Sequence, residues 1–132
     1  MAKQNHSNVP NNLRNISNAP VLEYLRGLSA HSDIAIPLIA AAREHNGAKI
    51  YCSDVDNFGH VFIYSNDCIF GFAAGMHGIS LRTAPVLHGE LIQLGAKKIE
   101  SLGPDWLFFE LFGKPYFEPK IGYLVSAAYS YA

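Results

Sequence analysis

Across residues 57 to 81 the chain carries one charged side chain, Asp67, and across residues 121 to 132 it carries none. A helix or sheet that faces water on one side keeps a polar, usually charged, share for that side. Two adjoining segments without it are tightly constrained: their outer faces must be buried, and a partner surface is the economical way to bury them. The deficit shows in the whole chain as a charged fraction of 16%, against roughly 25% in an average domain. Apolar residues reach 49%, and eight Phe, seven Tyr and one Trp suffice to fill one core at this length. Disorder throughout is excluded.

Residues 1 to 19 hold six asparagines (Asn5, Asn8, Asn11, Asn12, Asn15 and Asn18) and little apolar mass, too little to offset the entropy of ordering. They are read as a disordered tail, and residues 20 to 132 as one domain. Pro20 suits a first helical turn, and Val21, Leu22, Leu25 and Leu28 recur at helical spacing towards His31. Ser32 and Asp33 supply the cap of a second helix carrying Ile34, Leu38, Ile39, Ala41 and Ala42, with Gly47 as its stop. Pro37 is tolerable there because it lies near the first turn. From Lys49 to Thr83 the period becomes alternating, with strands at 49–54, 60–64, 68–73 and 79–82. The intervening turns, at Asp56-Asn57-Phe58-Gly59, Ser65-Asn66-Asp67 and Gly75 to Gly78, are short enough to make neighbouring strands antiparallel.

A helix over 85–94 and a strand over 106–112 follow, the strand apolar on both faces and so covered on both. Pro119 opens the last helix, whose stripe is Ile121, Leu124, Val125, Ala128 and Ala132. The order predicts an α+β fold: an antiparallel meander sheet packed by N-terminal, middle and C-terminal helices.

Several chemistries fail on spacing. The chain opens on polar residues without a basic stretch and apolar core, and its longest nearly apolar run, Ile34 to Ala42, falls far short of the roughly 20 residues of a spanning helix. A cytoplasmic protein is expected, with no membrane contact; Cys52 and Cys68 fit a reducing compartment as small buried hydrophobes rather than a disulfide. The run Asp54 to Gly59 begins like a calcium loop, but Phe58 and Ser65 stand at the fifth and twelfth positions, so it is read as a hairpin turn. Six histidines are present, yet no His-x3-His, Cys-x2-Cys or His-Glu-x2-His pair, so no metal and no other cofactor is expected. No nucleophile motif or phosphate-binding glycine loop occurs, and no catalytic residue is nominated. Over residues 21 to 132, eight basic and eleven acidic side chains leave a net charge of -3, a field that repels duplex DNA.

Three passages resemble the TfoX N-terminal-domain-like family and its YjbR relatives. They are Ile79-Ser80-Leu81-Arg82 closing the meander, Gly103-Pro104-Asp105-Trp106-Leu107-Phe108-Phe109 leading into a strand, and Leu124 to Ala132 as a closing helix ending in Tyr-Ala. The likeness spans about residues 20 to 132. It implies a compact α+β domain with an antiparallel sheet and a regulatory role linked to competence or DNA. Many members have Met-Phe-Gly entering the first strand, where this chain has Ala48-Lys49-Ile50-Tyr51-Cys52, so no role tied to that segment carries over, and neither does any catalytic residue.

The leading expectation is a non-enzymatic protein-interaction or regulatory module acting as a homodimer, with Ile121, Leu124 and Tyr129 as interface candidates. A small-ligand site is the alternative, lined by Phe62, Tyr64, Phe70, Phe72 and Trp106 with His60 or His77 as the polar contact. A DNA-linked competence-type regulator is the third.

Overall fold

A computed structural model of the chain describes residues 9–52, 61–112 and 117–132. The fold is α+β, a six-stranded antiparallel sheet in the order β1-β2-β3-β4-β6-β5. Its strands are β1 (Lys49–Cys52), β2 (Val61–Ser65), β3 (Cys68–Ala74), β4 (Gly78–Arg82), β5 (Lys97–Lys98) and β6 (Trp106–Glu110). The helices are α1 (Ala19–Leu25), α2 (Ser32–Ala42), α3 (His88–Gln93) and α4 (Ile121–Tyr131). The first four strands form the expected meander, and β6 adds antiparallel to β4 through Ile79 opposite Phe109 and Leu81 opposite Leu107. The short edge strand β5 escapes a periodicity argument because it is two lysines long.

Each face of the sheet is covered within the chain. On one side α2 and α4 pack Ile34, Leu38, Leu124 and Val125 onto Val61, Ile63, Ile79 and Phe109. On the other, α1 and the residues before it place Val9, Leu13, Val21 and Leu25 against Phe62, Ile69, Phe72 and Trp106. The charge-poor stretch is therefore buried from both sides: β3 and β4 are buried along almost their whole length. Intramolecular cover, not a partner, accounts for the missing charges of the meander.

Three local expectations are corrected. The asparagine-rich segment is not a tail from residue 9 onward. A single 3-10 turn at Asn11–Leu13 buries Leu13, and three asparagines grip the β2–β3 turn. Asn12 Nδ2 donates to Asp67 Oδ1 (2.6 Å), while Asn15 Nδ2 and Asn18 Nδ2 donate to the Asp67 carbonyl (3.0 and 2.9 Å). Asn18, itself buried, also donates to the Leu13 carbonyl and accepts from Ile69 N, both at 2.9 Å. One amide side chain supplies both donors and an acceptor, so these residues anchor a polar segment that apolar counting leaves loose.

The second correction concerns the cap of α2. His31 holds the N-cap position, and its Nδ1 accepts from Asp33 N at 3.1 Å. Helix α1 also stops earlier than residue 31, because Gly27 takes φ 77°, a conformation that ends helices at low cost only for glycine.

Candidate functional site

The aromatic residues singled out in the sequence do not share one surface. Phe62, Tyr64, Phe72 and Trp106 lie on the α1 side, whereas Phe70 lies on the side of α2 and α4. The register explains the split: Ile63 pairs with Gly71 and Tyr64 with Ile69, so Phe70 is the extra residue of a bulge. Strict alternation would have kept Phe70 beside Phe72; a bulge turns the extra residue to the opposite face. Gly71 is required there, since a Cβ would come within 2.7 Å of the Leu81 side chain.

The four remaining aromatics pack as core. Tyr51 stacks on Phe62 at 4.8 Å, and Phe72 meets Trp106 at 5.4 Å and Tyr24 at 5.4 Å between ring centroids. Phe62 and Phe72 are fully buried, and neither borders a described concavity. His77 is in the β3–β4 turn, 77% exposed, with Nδ1 3.7 Å from Glu110 Oε2. His60 lies outside the described residues. Of the α4 residues, Leu124 is fully buried, and Ile121 and Tyr129 pack partly against the core. Tyr129 stacks on His45 at 4.6 Å. The apolar stripe of α4 thus faces its own sheet, which removes Leu124 as an interface residue.

Large apolar side chains are exposed at several places, Ile16, Val86 and Tyr123 among them, and three share one end of the sheet. Ile36, Met76 and Phe112 are 56%, 62% and 49% exposed. Ile36 and Phe112 border one shallow concavity of about 410 Å³ with Ser32, Asp33 and Pro37. Met76 is brought to the same end by its neighbours: His31 N donates to the Gly75 carbonyl (2.9 Å) and Leu111 N to the His77 carbonyl (2.8 Å). Two imidazole–carboxylate pairs flank the patch, His31 with Asp33 at 3.6 Å and His77 with Glu110 at 3.7 Å. The signal for Ile36 and Met76 was present in the sequence as apolar residues out of place, one off the stripe of α2 and one in a turn between glycines.

A polar centre lies near the other end of β4. Arg82 Nε is 3.4 Å from Asp105 Oδ2, and its Nη1 donates to Cys68 Sγ at 3.5 Å. The guanidinium lies 4.9 Å from the centroid of the Tyr131 ring, whose hydroxyl donates to Asp105 Oδ2 at 3.0 Å. Burial first, then the Asp105 carboxylate, holds the Tyr131 phenol above its ordinary pKa of 10.0. The guanidinium is engaged on three sides, so this cluster fastens the end of α4 to β4 and the strand entry at Asp105. Cys52 and Cys68 are not joined by a disulfide. Among the described residues no three His, Cys, Asp or Glu side chains gather to hold a metal ion, and no helix is long and apolar enough to cross a membrane.

No protein-family model, curated protein or solved structure matches this chain.

Proposed function

We propose that this chain is a non-enzymatic cytoplasmic module of regulatory type that pairs with a second copy of itself through the end bearing Ile36, Met76 and Phe112. The observation that carries the reading is the grouping of these three large apolar side chains in the open at one end of a sheet whose two faces are covered within the chain. A solvent-facing cluster of this kind is normally a contact surface.

A second copy fits as the occupant because a two-fold interface must complement itself. The rim offers groups for this: the carboxylates of Asp33 and Glu110 stand beside the imidazoles of His31 and His77. An imidazole of one copy can thus meet a carboxylate of the other across a two-fold axis. The regulatory part of the reading rests on the resemblance to TfoX-like and YjbR-like domains.

Sedimentation velocity over about 1 to 100 μM spans the affinities expected of a small interface. A dimer that forms in this range and is lost in Met76→Glu and Phe112→Glu is the expected result. A monomer throughout, or a dimer indifferent to both substitutions, overturns the proposal.

A further inference from the structure

The largest concavity among those described lies away from the docking end. It lies where the start of α3 faces the Lys97 to Pro104 segment, has a volume of about 610 Å³, and is bordered by Pro85, His88, Ile92, Lys98, Glu100 and Pro104. Volumes of roughly 300 to 1,000 Å³ are those of small-molecule sites.

His88 is the one buried titratable side chain on its wall. Its Nε2 is 3.1 Å from the Thr83 carbonyl and 3.0 Å from Thr83 Oγ1. A carbonyl oxygen only accepts, so the neutral ring carries its proton on Nε2 and leaves Nδ1 as a lone pair. Thr83 is fixed in turn, with its own N–H donating to the Asp105 carbonyl at 2.9 Å. The ring is thus oriented by a rigid backbone group, and no described residue partners Nδ1. The ring is mostly buried and borders the concavity, so Nδ1 is an acceptor that a ligand donor can take.

The other polar groups on the wall are one cation and one anion. Neither the Lys98 ammonium nor the Glu100 carboxylate has an ion-pair partner among the described residues. The rest of the wall is Pro85, Ile92, Pro104 and two glycines. An anion-only ligand would satisfy Lys98 and meet Glu100 with like charge, and a cation-only ligand would do the reverse.

We infer that this concavity binds a small zwitterion, a free α-amino acid with an apolar side chain. Its carboxylate pairs with Lys98, its ammonium donates to Glu100 and to His88 Nδ1, and its side chain lies on Pro85, Ile92 and Pro104. Binding here is a function separate from pairing at the Ile36 end.

The test uses L-leucine as the probe, with 4-methylpentanoate and 3-methylbutylamine as analogues that lack the ammonium and the carboxylate. Amide and imidazole shifts are followed in a two-dimensional NMR titration of the full chain. The expected result is saturable shifts around residues 83 to 104, movement of the His88 ring nitrogens, and at least ~10-fold weaker binding of both analogues, as loss of a charge-assisted hydrogen bond requires. Lys98→Met and Glu100→Gln are both surface changes that leave the core intact, and each weakens leucine binding at least ~10-fold on the same ground. No shift at about 10 mM leucine, where even a weak site fills, overturns the inference. So does equal binding of either analogue, or binding unchanged in both variants.

Discussion

The two faces of the sheet are covered by different means. Helices α2 and α4 close one face with apolar stripes laid directly on the strands, with polar contacts where Tyr131 at the end of α4 meets Arg82 and Asp105. The other face is closed by the seven-residue helix α1 and by a segment rich in asparagine, in which Val9 and Leu13 enter the core and hydrogen bonds to the Asn66–Asp67 turn do the fastening. Asn66 and Asp67 adopt φ 52° and 62°, the left-handed pair of a tight hairpin. That geometry turns the Asp67 carbonyl outward as an acceptor for two asparagines. A polar segment can therefore serve as a core cover when it carries a few apolar anchors and its amide groups find backbone partners.

The comparison can be broken most sharply on the helix-covered face. Phe109 is fully buried and meets Phe117 edge-on at 5.2 Å, so Phe109→Ala is expected to cost about 3–5 kcal/mol in urea unfolding. A loss near zero would mean that this face is loosely packed. Leu13→Ala comes next. If the segment is a true cover, the loss is about 2–4 kcal/mol, close to that of a helix residue, whereas a loss within about 0.5 kcal/mol is what a surface tail gives.

Asn18→Ala removes two donated bonds and one accepted bond at a buried site, and about 2–3 kcal/mol is expected from the groups left without partners. Asn12→Ala breaks one exposed bond to Asp67 and should cost under about 1 kcal/mol. Reversed magnitudes for these two asparagines would show that the grip is on the Asp67 side chain rather than the backbone.

Alkaline titration distinguishes the faces more gently. The folded state raises the Tyr131 pKa above 10.0 and so favours the neutral phenol. Its contribution is present in full below the ordinary value and is lost as pH rises through the raised one. Tyr51, beneath the asparagine-rich segment, is raised too, by burial first and by Cys52 second. Tyr131→Phe is expected to flatten part of the stability loss above about pH 10 and leave the Tyr51 part. Asn18→Ala lowers stability without changing the slope, since an amide does not titrate. An unchanged slope in Tyr131→Phe would argue against the Tyr131–Asp105 bond.

Much of the architecture was legible in the sequence. Alternation and short turns predicted the antiparallel meander, and helical spacing marked the apolar stripe of α4, although Leu124, expected at a partner interface, lies in the core. Three things were not. The bulge at Phe70 depends on register between strands, which a period of two read along one strand does not contain, and it separated Phe70 from the other aromatics. The asparagine grip spans 49 to 55 residues in sequence, a pairing that local composition does not encode. The concavity at His88 depends on α3 facing the Lys97 to Pro104 segment, and that juxtaposition is tertiary. The missing charges were read as a partner surface because a small domain was expected to wet one face; the segment before α1 supplies the second cover.

The amide of Ile69 tests the central claim most directly, because it donates to Asn18 Oδ1 inside the contact between the asparagine-rich segment and the sheet. Native-state hydrogen exchange should find it protected to nearly the global unfolding free energy, with protection falling selectively in Asn18→Ala while Phe109 in β6 keeps its own. Rapid exchange of Ile69 in the unaltered protein, at the rate of a frayed terminus, would contradict the account and return residues 9 to 19 to the status of a tail.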